Sequence, residues 1–180
     1  MDSADDTQLM ARVRVGDGEA LALLFERHQG PLVGFLHRMT GSAGLAEDLA
    51  QESFLRVLRY ARSFKPEAPF RPWLYRIARN VLADHRSPLD LPLEPHAASV
   101  PAAGPCPHAV LEATERRQRL AEALERLPED KRELLLLSRN LGYEALAENF
   151  GCSAGALKVR VHRALQELRA LFFEGQEVRP

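Results

Sequence analysis

The sequence predicts an all-α protein made of two small helical domains joined by a Pro-rich linker. Three observations carry this. Apolar residues recur at steps of three and four through nearly every ordered stretch, and no stretch alternates with a period of two. The segment from Ser87 to His108 holds Pro88, Pro92, Pro95, Pro101, Pro105 and Pro107 with small residues among them, a composition that neither holds a helix nor buries a core. The length of 180 residues suits one domain or two small ones. The expected division is a first domain over 1–86, a linker over 87–108 and a second domain over 109–180.

Taken in order, Asp17 is placed to cap a helix carrying Leu21, Leu24 and Phe25. Gly30-Pro31 is expected to break it, with Pro31 in the first turn of a new helix bearing Leu32, Phe35, Leu36 and Met39. Gly41 to Gly44 is a turn. Leu45 to Ala61 is the clearest amphipathic segment, with Ala46, Leu49, Ala50, Phe54, Val57, Leu58 and Ala61 on its apolar side. Its other face runs from Glu47, Asp48, Gln51 and Glu52 to Arg56, Arg59 and Arg62, acid first and base last, which suits the helix dipole. Phe64 to Pro72 reads as a loop. Pro72 then starts a helix with Leu74, Ile77, Ala78, Val81 and Leu82 inside and Arg76, Arg79, Asn80 and Ala83 outside.

In the second domain, a helix through Leu120, Leu124 and Leu127 stops at Pro128. Another runs from about Glu129 to Asn140 with Leu134 to Leu137 buried. A short helix covers Glu144 to Asn149, and Ser153 caps a last helix reaching Leu171.

Net charge is −1, but it is unevenly spread. Arg56 to Arg86 holds eight Lys or Arg against Glu67 and Asp84, a local charge of +6. Ser153 to Arg169 is about +3. Two basic surfaces on an otherwise acidic chain suit one polyanion gripped in two places, although solvated helix faces have the same composition. The acidic start, Met1 to Asp6, has no apolar run behind it, so no export signal and a cytoplasmic address are expected. No run approaches the length of a membrane span. Two cysteines, Cys106 and Cys152, make no disulfide framework.

Short helix, Gly turn and longer basic helix form a helix-turn-helix pattern, in which the second helix enters the major groove. Its early turns carry Lys158, Arg160, His162 and Arg163, while Ala147, Leu157 and Val161 suit the packed angle between the helices. In the first domain, Phe70, Trp73 and Tyr75 alternate with Arg71, Arg76 and Arg79. Aromatic faces stack on unpaired bases and guanidiniums hold phosphates, so this mix suits single-stranded DNA; a core role for the aromatics is the alternative. Catalytic motifs are absent: there is no Gly-rich phosphate loop and no nucleophile elbow. Cys106-Pro107-His108 offers two of the four ligands a structural zinc takes, so no metal or other cofactor is expected.

These residues resemble the extracytoplasmic-function group of bacterial sigma factors, across nearly the whole chain outside the linker. Ala46-Glu47-Asp48-Leu49-Ala50-Gln51-Glu52-Ser53-Phe54 looks like the region-2 helix that docks on the polymerase β′ subunit, implying Asp48, Gln51, Glu52 and Phe54 in polymerase binding. Phe70-Arg71-Pro72-Trp73-Leu74-Tyr75-Arg76-Ile77-Ala78-Arg79-Asn80 looks like the segment that melts and reads the −10 element, implying Phe70, Arg71, Trp73, Arg76, Arg79 and Asn80 there. Leu127-Pro128-Glu129 onward through Ala164 looks like the region-4 helix-turn-helix for the −35 element, implying Ser153, Lys158, Arg160, His162 and Arg163. Ala156 and Val159 stand where the family often has Thr and Ser.

The resemblance implies a non-enzymatic promoter-specificity subunit. Its partners would be core RNA polymerase through β′ and β, promoter DNA as −35 duplex and −10 single strand, and an anti-sigma factor. A linker of 22 residues extends to roughly 70 Å, enough for both domains to act on one promoter. The alternatives are a stand-alone helix-turn-helix regulator, against which no dimerisation helix is evident, and a degenerate sigma-like interaction protein.

Overall fold

A computed structural model of the chain describes residues 3–86 and 107–174, with side chains over 6–86 and 114–174. The chain divides into two units, Met1–Ala97 and Ala98–Pro180, with helices and no strand among the described residues. The expected linker lies outside the described residues except for Pro107 and His108, which open a helix.

The first unit starts with a helix that the sequence reading did not expect, α1 (Ser3–Arg14). Its apolar signal is brief: Leu9, Met10 and Val13, all buried. So short a helix is marginal alone and owes its order to that packing. It ends at Gly16, whose φ of 94° suits a residue without Cβ. Asp17 then caps α2 (Gly18–Thr40), accepting the Ala20 N–H at 3.1 Å. That bond and the Arg12 guanidinium hold the Asp17 carboxyl below the usual carboxylate range.

The expected break at Gly30-Pro31 does not occur: α2 is continuous with Pro31 inside it. Pro31 has no N–H to give the carbonyl of Arg27, at a typical cost of about 3 kcal/mol. Ala20, Leu24, His28, Leu32, Phe35, Leu36 and Met39 nevertheless form one unbroken buried stripe. Each large side chain beyond Pro31 contributes roughly 1.5–3 kcal/mol by burial, which outweighs the lost bond. Gly41, with φ 72°, closes the helix through its N–H to the His37 carbonyl.

Ser42 caps α3 (Ala43–Tyr60), which packs against both α2 and the last helix of the unit. Ala46, Leu49, Ala50, Phe54 and Val57 are buried, followed by Ala61 in a 3-10 turn (Ala61–Ser63). Ser53 is also buried and donates to the Leu49 carbonyl at 2.7 Å. Leu58, expected on the apolar side, is 47% exposed, because the next residue round from Val57 falls past the edge of the covered face. The last helix, α4 (Phe70–His85), begins two residues before the expected start, with Pro72 in its first turn, where N–H groups lack partners anyway. Leu74, Ile77, Ala78, Val81 and Leu82 are all buried, together with Phe70, Trp73 and Tyr75.

In the second unit, α5 (Pro107–Arg126), α6 (Glu129–Asn140) and α7 (Tyr143–Asn149) each pack on α8 (Ala154–Glu174). A proline suits the start of α5 because first-turn N–H groups have no partner within a helix. Leu134 to Leu137 are all buried; four consecutive leucines circle the axis, so α6 is enclosed on every side at that turn. A Lys131–Glu167 pair joins α6 to α8.

Candidate functional site

Three outward faces carry the residues of interest. On α3, Asp48 and Gln51 are exposed and Glu52 is half-buried. Glu52 accepts from Arg56 Nε at 2.8 Å, and Arg56 Nη1 reaches Asp84 on α4 at 2.6 Å. These two acids raise the Arg56 pKa above its ordinary value and tie α3 to α4. The sequence reading missed two members of this face: Leu55, 59% exposed, and Leu58. At helical spacing from Asp48, Gln51 and Glu52, they make the face part acidic and part apolar.

Phe54 does not belong to that face. It is 5% exposed and meets the Phe25 ring edge-on at 4.9 Å, so it holds α3 against α2. A period-3.6 count shows why: Phe54 sits one turn beyond Ala50 on the inner stripe.

On α4 the structure separates the aromatics from the cations. Phe70 is 1% and Trp73 8% exposed. Phe64 lies 5.1 Å from the Trp73 ring and 6.3 Å from Phe70, and Phe70 lies 6.2 Å from Trp73. Tyr75 packs on Phe35 at 5.5 Å. These rings are therefore core: neither Phe70 nor Trp73, the rings expected to stack on bases, presents a free face. Their spacing already gave the signal, since Phe70, Trp73, Ile77 and Val81 recur at three and four along one face. Burial pushes the Tyr75 phenol above its ordinary pKa, and nearby Arg71 acts the other way. Arg76, Asn80 and Ala83 are exposed and Arg79 is half-buried, so the outward stripe is basic and polar, while Arg71, exposed at the helix start, lies on the side of Tyr75 and His28 rather than on that stripe.

The third face lies on α8. Gly151, with φ 60°, turns the chain after α7, and the Cys152 N–H bonds the Ala147 carbonyl at 3.0 Å. Ser153 Oγ accepts the Ala156 N–H at 3.2 Å and so caps α8. Ala147, Leu157 and Val161 are buried where the two helices meet, which fixes their angle. Ser153, Lys158, Arg160, His162 and Arg163 are all exposed. Lys158 Nζ stands 5.7 Å over the Tyr143 ring and the Arg160 guanidinium 5.4 Å over Phe150. Lys158 leans onto α7 and Arg160 onto the residue just past its end, and the two flank the face. Between them, opposite the buried Leu157, Val161 and Ala164, stand Val159 at 50% exposure, His162 and Arg163. Val159 is thus an outward apolar residue at the middle of a polar, basic face.

Of the possible zinc ligands, Cys106 lies outside the described residues. Among the described residues no group of three or more His, Cys, Asp or Glu is placed to hold a metal ion, and no helix is long and apolar enough to cross a membrane.

Comparison with known proteins places these faces in a family. Residues 24–87 match Sigma-70 region 2 and residues 117–168 match Sigma-70, region 4. The chain is 36% identical over 171 residues to the RNA polymerase sigma factor CarQ of Myxococcus xanthus, covering 92% of this chain and 96% of CarQ. It is 31% identical over 176 residues to the ECF RNA polymerase sigma-E factor of Escherichia coli, covering 91% and 92%. Among solved structures, CnrH in complex with the cytosolic domain of CnrY matches with a TM-score of 0.69 and 26% identity, over 92% of this chain and 96% of that one.

Proposed function

The chain belongs to the sigma-70 family of RNA polymerase sigma factors, in its extracytoplasmic-function group, and we propose how its outward faces divide the work of that family. As a sigma factor it binds core RNA polymerase and directs promoter recognition and transcription initiation. The α3 face of Asp48, Gln51, Glu52, Leu55 and Leu58 docks on the polymerase. The α4 stripe of Arg76, Arg79 and Asn80, together with Arg71 at the helix start, holds the separated −10 strand, with phosphates on the guanidiniums and an exposed base on Asn80. On α8, Lys158, Arg160, Val159, His162 and Arg163 enter the major groove of the −35 duplex, with the capped α8 N-terminus beside a phosphate.

The observation that carries this division is the difference in surface chemistry. The α3 face is acidic with exposed leucines, which suits a protein partner, whereas the α4 and α8 faces are basic, which suits nucleic acid. Domain roles follow: residues 1–86 for docking and the −10 element, 109–180 for the −35 element, and 87–108 between them. The protein carries out no covalent chemistry of its own and acts where the polymerase is, in the cytoplasm. An anti-sigma factor is its regulatory partner; the similar CnrH was solved in complex with another protein, the cytosolic domain of CnrY.

The test is run-off transcription with bacterial core polymerase on a library of promoter fragments. Transcripts that depend on the protein and share a −35 and a −10 element support the division and supply the sequences read. Tight binding to core with no transcript, beside an active control sigma factor, would leave the α3 assignment standing and remove those of α4 and α8.

A further inference from the structure

None of these faces uses α1, yet α1 carries the only buried carboxylate among the described residues. Asp6 is 2% exposed. It accepts from His28 Nε2 at 2.7 Å and from Arg27 Nη1 at 3.1 Å, both on α2. Burying an acid to fasten an end helix is a poor source of stability, since apolar groups of the same size do as well. What such a contact does supply is one fixed position.

That position is next to the helix that holds the separated −10 strand in the division above. The His28 ring lies 5.2 Å from the ring of Phe70, the first residue of α4. Phe70 in turn packs with Phe64 and Trp73. Thr7, Gln8, Ala11 and Arg14 of α1 line one apolar cleft with Phe64 and Pro66 of the loop between α3 and α4. The α1 helix therefore braces that loop from one side, while its Asp6–His28 contact braces the start of α4 from the other.

We propose that Asp6 and His28 are positioning residues for promoter opening: by locking α1 to α2 they hold the Phe64–Phe70–Trp73 cluster, and so place Arg71, Arg76 and Asn80 for the separating strand. The inference rests on the assignment of α4 to the −10 strand. The charged groups acting on His28 are Asp6 from α1, Arg27 on its own helix and Arg71 from α4. Burial lowers the His28 pKa against the pull of Asp6, so the native ring is neutral and donates from Nε2. A released His28 binds protons more readily than the locked one. The lock is therefore complete above about pH 6.5 and weakens as the pH falls below it.

The test uses holoenzyme assembled from the full chain and core polymerase, on one promoter from the run-off selection. The fragment is offered as duplex and with the −10 region already unpaired. Permanganate reactivity of −10 thymines reads opening, and core affinity is measured alongside. Asp6→Ala and His28→Leu are expected to cut opening of duplex at least about tenfold, as small displacements of an oriented group do. Both should keep core affinity but also bind the unpaired fragment more weakly, because Arg71, Arg76 and Asn80 hold the separated strand in either fragment. Asp6→Asn, which keeps the shape, is the guard against a variant that fails to fold. His28→Gln places an amide donor where Nε2 stands and should restore opening, while removing the decline below about pH 6.5. Equal losses on both fragments together with weaker core binding would reduce the pair to ordinary structure, and unchanged opening in all variants would overturn the inference outright. An unaltered chain that binds core and opens no promoter would overturn the α4 assignment itself, and this inference with it.

Discussion

The α4 helix buries eight of its sixteen residues, α8 three of its twenty-one. Both show basic residues to solvent, but α4 is a wall of its bundle, whereas α8, packed on α5, α6 and α7, buries few of its own residues and presents its first turns as a probe. A wall couples what it reads to the stability of the fold, because the residues behind its outer stripe are core. A probe can change what it reads with little cost, because its outward side chains make only surface contacts, such as those of Lys158 and Arg160 with Tyr143 and Phe150. Large aromatics in α4 and small or branched residues in the α7–α8 contact follow from the same difference.

The sharpest way to break this comparison is Trp73→Ala. As core, Trp73 should take about 3–5 kcal/mol of stability with it. The melting temperature would then fall, and polymerase binding and promoter opening would decline together. A variant that melts like the parent and loses opening alone would make α4 a probe too. Next in size is Arg160→Ala on α8, expected to weaken −35 duplex binding by about 1–3 kcal/mol with thermal stability unchanged. Loss confined to one base position marks a base contact; the same loss on every duplex marks a phosphate contact.

Asp48→Arg tests the third face and should weaken core binding about tenfold, or about 1.4 kcal/mol, in a titration of labelled core, leaving melting and −35 binding as they were. Unchanged core affinity would take α3 out of the docking surface. The smallest effect belongs to Val159→Ser. An outward valine suits a thymine methyl and a serine suits a polar base edge, so the preferred base at one −35 position should shift by about 1 kcal/mol. The salt dependence should stay the same, because no phosphate contact is lost. Competition binding over single-base variants at two salt concentrations measures both.

Much of the architecture was legible in the sequence. Caps at Asp17 and Ser153 depend on one side chain and the N–H groups two or three residues on, so local chemistry settles them. The extent of α6, from Glu129 to Asn140, follows from Pro128 before it and the Leu141-Gly142 break after it. Legibility of the outward cations has a related cause: Lys and Arg are seldom fully buried, so a charged residue at helical spacing from an apolar stripe is almost always outside.

Aromatics carry no such rule. Phe54, Phe70 and Trp73 suit a core and a contact surface equally well as residue types, and only the presence of Phe25 and Phe64 against them decides. Leu55 and Leu58 went the other way, apolar yet uncovered. Sequence period gives the direction of a helical face but not its width, because width is set by the neighbour that covers it.

By itself, then, the sequence determined which segments are helical, where most of them begin and which cations face solvent, since these rest on contacts within a turn or two of chain. The tertiary structure alone decided that α2 runs through Pro31, that α1 forms at all, and which rings lie behind α4 rather than upon it. Each of those depends on burial against residues distant in sequence. There the free energy gained from a shared core exceeds the local preference for a break, for coil or for exposure.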